Sequence, residues 1–152
     1  MKMQEMTIMK KKSLFAAAAL SAVLLAGCGE KAVTSEQVNA SKLEDFATEY
    51  YNEAKDGKDA GLIVIQNATN QYLYVKDLTD KDGNAVKITD MKFTKENKTR
   101  NSNYRVDVTT EKVSDASEGE AIYKFENAKN IETLDFYVDG KRDSVDKVYA
   151  NH

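Results

Sequence analysis

Residues 62–76 read LIVIQNATNQYLYVK, and the period of that stretch decides the fold. Leu62, Ile63, Val64 and Ile65 form a continuous apolar run, fitting a central strand covered on both faces. Asn67 to Asn70 is a short polar connection, after which QYLYVK supplies a second strand, so the two segments should pair as a hairpin. With Leu73 and Val75 facing inward, Tyr72 and Tyr74 point to the opposite face, where aromatic pairing across the sheet or a partner-recognition patch are the two available roles.

Upstream of this hairpin the period is helical. Val38, Leu43, Phe46, Ala47, Tyr50 and Ala54 recur at helix spacing, Thr34-Ser35-Glu36-Gln37 has a capping-box pattern, and Gly57 gives a stop. One amphipathic helix is therefore expected over residues 35–56, with its apolar stripe serving the core.

Downstream the strand pattern continues. Asp82-Gly83 marks a turn that needs positive φ, and the strand after it changes parity between Val86/Ile88 and Met91/Phe93, which predicts a bulge or bend near Thr89 and Asp90. Tyr104, Val106 and Val108 alternate with polar neighbours, as do Ala121, Tyr123 and Phe125, then Leu134, Phe136 and Val138. Asp139-Gly140 closes the last of these, and the segment 143–152 fits either a short helix or a final edge strand.

One helix and about six strands joined by short polar loops give an α+β class: an N-terminal helix packed on a curved antiparallel sheet. A β-sandwich with an appended helix is the alternative architecture. With no crossover helices between strands, parallel pairing is not expected. This order of elements is similar to the cystatin-like and NTF2-like folds found among small exported lipoproteins.

The composition bounds the chain further. A length of 152 residues suits one domain plus a removable segment, and 41% hydrophobic with 31% charged residues suits a solvated globular body. The apolar residues are unevenly spread: Leu14 to Gly27 is apolar or small throughout except for Ser21, and Lys10, Lys11 and Lys12 precede it. That is the build of a secretory signal peptide, shorter than the roughly 20 residues of a membrane-spanning helix. Met9 opens a more typical signal than Met1.

The segment ends Leu25-Ala26-Gly27-Cys28, which resembles the lipobox of bacterial lipoproteins. The resemblance implies that the Cys28 thiol takes a diacylglyceryl group and that a signal peptidase, recognising Leu25, Ala26 and Gly27, cuts before it. The expected organisation is a signal peptide at 1–27, a tether at 28–34 and a single domain at 35–152. It also accounts for a single cysteine in an exported chain. The implied location is the outer face of a cytoplasmic membrane, Gram-positive in preference, with the Gram-negative outer membrane as alternative; Gly29, not an inner-membrane-retaining aspartate, follows the cysteine.

The net charge is −3, and the part after the signal is more acidic because Lys2, Lys10, Lys11 and Lys12 fall before it. An acidic body has no electrostatic reason to bind nucleic acid. The single histidine is His152, which leaves triads and most zinc sites without imidazoles. Asp80-Lys-Asp-Gly-Asn84 fits the middle of a calcium loop, but Leu78 and Thr89 fall where its first and last ligands belong, so a hairpin turn is expected. No catalytic residue, metal or cofactor is expected beyond the covalent lipid on Cys28.

The leading expectation is a non-enzymatic lipoprotein that meets the membrane through its anchor and binds a protein or peptide partner at the cell surface, with Tyr72 and Tyr74 as candidate contact residues. Alternatives are an immunity or exclusion lipoprotein acting against a toxin, phage or conjugative element, and a small solute-binding protein or hydrolase. A further alternative is a precursor of a signalling octapeptide at residues 20–27, which looks like the enterococcal sex pheromones.

Overall fold

The computed structural model describes residues 32–96, 102–128 and 131–150. The protein is α+β. Its described elements run β1 (Thr34–Val38), a 3₁₀ turn (Ala40–Lys42), α1 (Asp45–Asp56), β2 (Gly61–Gln66), β3 (Gln71–Lys76), β4 (Val86–Lys95) and β5 (Ser102–Lys112). A second 3₁₀ turn (Ala116–Gly119) leads into β6 (Ala121–Glu126), β7 (Ile131–Val138), β8 (Lys141–Asp143) and β9 (Lys147–Ala150).

These strands make two sheets, ordered β1-β6-β3-β2-β9 and β4-β5-β7-β8. The inner face of the first presents Leu62, Val64, Leu73, Val75 and Phe125 to Met91, Phe93, Val106, Val108 and Phe136 of the second. Phe93 and Phe125 meet edge-to-face across this layer at 5.0 Å between centroids. On the outer face of the first sheet, Ile63, Ile65, Tyr72 and Tyr74 are covered by Ala47, Tyr51 and Ala54 of α1. Covering on both sides is the reason Leu62–Ile65 is apolar at every position, since each fully buried aliphatic side chain contributes about 1.5–3 kcal/mol.

The expected hairpin is present, with Leu62 opposite Val75 and Ile65 opposite Tyr72. Asn67 closes it by accepting at Oδ1 from the backbone N–H groups of Thr69 and Asn70, at 2.9 and 2.8 Å. The β4–β5 register shifts between Ile88 and Asp90, which lets Val86 and Ile88, as well as Met91 and Phe93, face one core. Segment 147–150 is the edge strand of the two tail alternatives.

Four expectations are corrected. The single antiparallel sheet is two sheets, with α1 outside them, and this layering is that of the sandwich alternative. The helix is neither N-terminal nor 22 residues long, because Thr34–Val38 pairs antiparallel with β6 and the helix starts at Asp45. Partners some 90 residues away outweigh the local helical pattern there, although Val38 and Leu43 still pack on the helix-side cluster. The tether boundary moves accordingly, since Val33 is buried and Thr34 already pairs. Finally, β2 pairs parallel with β9, and β5 with β7. The β5–β7 crossover runs through β6 in the other sheet, which does the work of a crossover helix. Among the described residues no helix is long and apolar enough to cross a membrane.

Candidate functional site

A groove of about 280 Å³ opens where β1 ends and β6 begins, beside α1. Its walls come from Gln37, Asn39, Tyr51, Tyr74, Ser117 and Glu120, with Val38 and Ile122 at the base. Convergent polar groups beside apolar and aromatic side chains are the usual build of a recognition site.

Each wall has a local cause. Asn39 is extended and joins β1 to the first 3₁₀ turn, whose Ala40 also lines the groove. Tyr51 lies on the buried stripe of α1, edge-on to Tyr74 at 4.8 Å. Ser117 and Glu120 are held by the second 3₁₀ turn, which is closed by a reciprocal capping box: Asp115 accepts from the Ser117 N–H, and Glu118 Oε1 accepts from the Asp115 and Ser114 N–H groups, each at 3.0 Å. Gly119 presses this turn against β4 so closely that a Cβ would collide with the Val86 carbonyl oxygen.

The electrostatic centre of the groove is Glu120. Its Oε2 accepts from the Tyr74 hydroxyl at 2.8 Å. Burial, then this hydrogen bond and the nearby negative charge, raise the Tyr74 hydroxyl well above the usual phenol range. A carboxylate has room for further donors, so Glu120 can accept from an ammonium, a guanidinium or an amide entering the groove.

Tyr72 and Tyr74 point away from Leu73 and Val75, as the alternation requires, but they form no exposed patch. Their exposures are 1% and 0%, because α1 lies over both. Tyr72 instead packs on Phe46 and donates to Glu44 Oε2 at 2.9 Å. Only Tyr74 reaches the groove, by its edge. Leu25, Ala26, Gly27 and Cys28 lie outside the described residues. Gln37, Asn39, Tyr51, Ser117 and Glu120 escaped sequence reasoning, and the signal that marks part of the site is the Asp115-Ala-Ser-Glu118 capping pattern.

The Asp80–Asn84 segment is a turn, with Asp80 Oδ1 accepting from the Asp82 and Asn84 N–H groups at 2.9 Å each. These bonds, that from Asn84 foremost, hold the Asp80 carboxyl below the usual carboxylate range. Among the described residues no group of three His, Cys, Asp or Glu side chains is placed to hold a metal. Comparison with protein-family models, with curated proteins and with solved structures finds no match to this chain.

Proposed function

We propose that this chain is a small bacterial lipoprotein, anchored through Cys28 to the outer face of the membrane, that binds a protein or peptide partner in the groove around Glu120 without catalysing a reaction on it. The observation that carries this reading is the position of the groove relative to the start of the fold. The Ala32 carbonyl accepts from Asn127 Nδ2 at 3.0 Å and Val33 is buried, so the chain is fastened to the body only four residues after Cys28. Four residues reach at most about 14 Å. A lipid on Cys28 would hold the Ala32 end of β1 beside the bilayer.

The groove lies at the other end of the same strand, beyond Val38, roughly 13 Å further along. It would therefore open away from the membrane. Two acyl chains hold a protein far more firmly than one, and confinement to a surface raises the effective concentration seen by membrane-associated partners. The groove chemistry favours a partner segment that brings a cationic or amide donor to Glu120 and an apolar group to Tyr51.

The test uses the full chain made in a Gram-positive host. Intact mass should show a mature form beginning at diacylglyceryl-modified Cys28, and Cys28→Ser should remain unprocessed. Photo-crosslinkers placed at Asn39 should trap one defined envelope protein, lost on Glu120→Lys, whereas crosslinkers at Thr94 on the other sheet should not. Retention of residues 1–27 would remove the anchor, and equal trapping from Asn39 and Thr94 would remove the groove.

A further inference from the structure

The second sheet loses its outer strand halfway along β7. β8 pairs only with Phe136, Tyr137 and Val138, because the chain leaves that sheet after Asp143 and crosses through residues 144–146 to become β9 in the first. Residues 131–135 are therefore paired on the β5 side alone among the described residues. Alternation tells which groups this edge offers. The Asp139 N–H donates to the Val108 carbonyl, so Tyr137 and Asp135 also turn their backbone groups towards β5, while Val138, Phe136 and Leu134 turn theirs the other way. For Val138 and Phe136 that side holds β8, and for Leu134 it holds no strand among the described residues.

Beside this edge the two sheets part. A cleft of about 200 Å³ is lined by Leu134, Phe136, Val64 and Val148, with Gln66 and Thr133 among them. Val148 lies beside Val64 on the edge strand β9 and is 50% exposed, the one large hydrophobic residue left so open among the described residues. A mixed lining next to an unpaired strand suits a polypeptide, whose main chain needs hydrogen-bond partners and whose alternate side chains need an apolar floor.

The end of the cleft nearest β8 is acidic. Asp143 stands opposite Phe136, and neither it nor the exposed Asp146 is ion-paired among the described residues. Burial, then the charge of Asp146, raise the Asp143 carboxyl above the usual carboxylate range, a penalty that a cation would relieve. A second copy has no Lys or Arg within its own residues 131–135 to supply one, so the charge selects a foreign strand.

We propose that the bare half of β7 is a docking edge for an extended segment of a partner protein, which adds as an antiparallel strand in line with β8, lays alternate apolar side chains between Leu134 and Val148, and brings a Lys or Arg at its N-terminal end to Asp143. This surface is separate from the groove at Glu120 and does not depend on the lipid anchor.

The probe is the acetylated peptide amide Lys-Val-Thr-Val-Thr, titrated into the full chain in detergent micelles while the Leu134 amide and Val148 methyl signals are followed by NMR. A residue directly opposite Leu134 shares both its inward face and its hydrogen bonds. N-methylation of the two valines therefore removes the donors that face β7, whereas N-methylation of the two threonines leaves them, and the two modified peptides have the same composition. The parent peptide should shift both signals saturably and slow exchange of the Leu134 N–H. Methylated threonines should leave the affinity unchanged, and methylated valines should weaken it about tenfold or more. Asp143→Asn should weaken the parent about threefold and leave a peptide with norleucine in place of lysine unaffected. Should that variant fail to fold, the two methylated peptides decide on the wild-type chain. Equal weakening by both methylations, shifts that never saturate, or a dimer that protects the Leu134 N–H without peptide would overturn the proposal.

Discussion

The hydroxyl of Tyr74, under the helix, donates to the carboxylate of Glu120, on the exposed second 3₁₀ turn, at 2.8 Å. This bond ties the groove wall to the layer beneath α1, and its two ends are unequal. Tyr74→Phe removes the donor and leaves Glu120 to water, at a cost of about 1 kcal/mol. Glu120→Ala strips a largely buried hydroxyl of its acceptor and should cost more, up to about 3 kcal/mol, although the residue changed is exposed. Urea denaturation of both single variants and the double variant measures this, and the double should lose less than the sum. A neutral Glu120→Ala variant would break the assignment.

Three tyrosines make stability depend on alkaline pH. Burial pushes the Tyr123 hydroxyl up to about 12, and burial together with the Glu44 hydrogen bond and charge pushes Tyr72 up to about 12. Tyr74 moves in the same direction. An unfolded tyrosine ionises near 10, so above that pH the unfolded chain binds fewer protons than the folded one. The contribution is therefore complete below pH 10 and is lost as pH rises from about 10 towards 12. Denaturation midpoints should fall over that window, with phenolate absorbance of the folded protein lagging behind that of the unfolded chain. Tyr123→Phe should flatten the fall; the opposite sign, stability rising above pH 10, would contradict the burial of these rings.

What could be read from sequence was what local pattern encodes. Leu62–Ile65 and Tyr72–Val75 carry their own hairpin, and the parity change after Ile88 carries its own bulge. Phe46, Ala47, Tyr50 and Ala54 encode the helix that forms. Thr34–Val38 misled because its partner, Ala121–Glu126, lies far along the chain, and no local period records such a pairing. The parallel pairs β2–β9 and β5–β7 are illegible for the same reason. At the site, alternation gave the direction of Tyr74, but nothing near it in sequence shows that Tyr51 covers it or that Glu120 meets it.

Lys76 closes the end of the helix. Its Nζ lies 3.0, 3.0 and 2.8 Å from the carbonyl oxygens of Ala54, Lys55 and Gly57 at the C-terminal end of α1, where the Ala54 carbonyl also accepts from the capping Gly57 N–H at 3.2 Å. A cation at a helix C-terminus is favourable, and here it also fastens α1 to the end of β3. Lys76→Met keeps the aliphatic stem and removes the three bonds, so a loss of about 1–2 kcal/mol is expected. Hydrogen exchange should accelerate most at the C-terminal turn of α1, where the groove residue Tyr51 lies one turn upstream. Uniform exchange changes across both sheets would show that Lys76 acts elsewhere.

Gly61 and Asp146 join the final strand to the sheet. The Leu62 N–H donates to Asp146 Oδ2 at 2.9 Å, and the Asp146 N–H donates back to the Leu62 carbonyl at 2.8 Å, so β9 is clipped beside β2 just before their parallel pairing begins. Gly61 has φ +101°, and a Cβ at that position would run into the Asp146 carboxylate. Gly61→Ala therefore meets strain from two sources, left-handed backbone and displacement of the clip, and should cost about 2–3 kcal/mol. Asp146→Asn retains an oxygen that can accept from Leu62 and should cost well under half as much. Because Val148 and Tyr149 follow the clip directly, Gly61→Ala should also expose β9 to proteolysis before the rest of the chain; cleavage beginning at any other strand would place the weak point elsewhere.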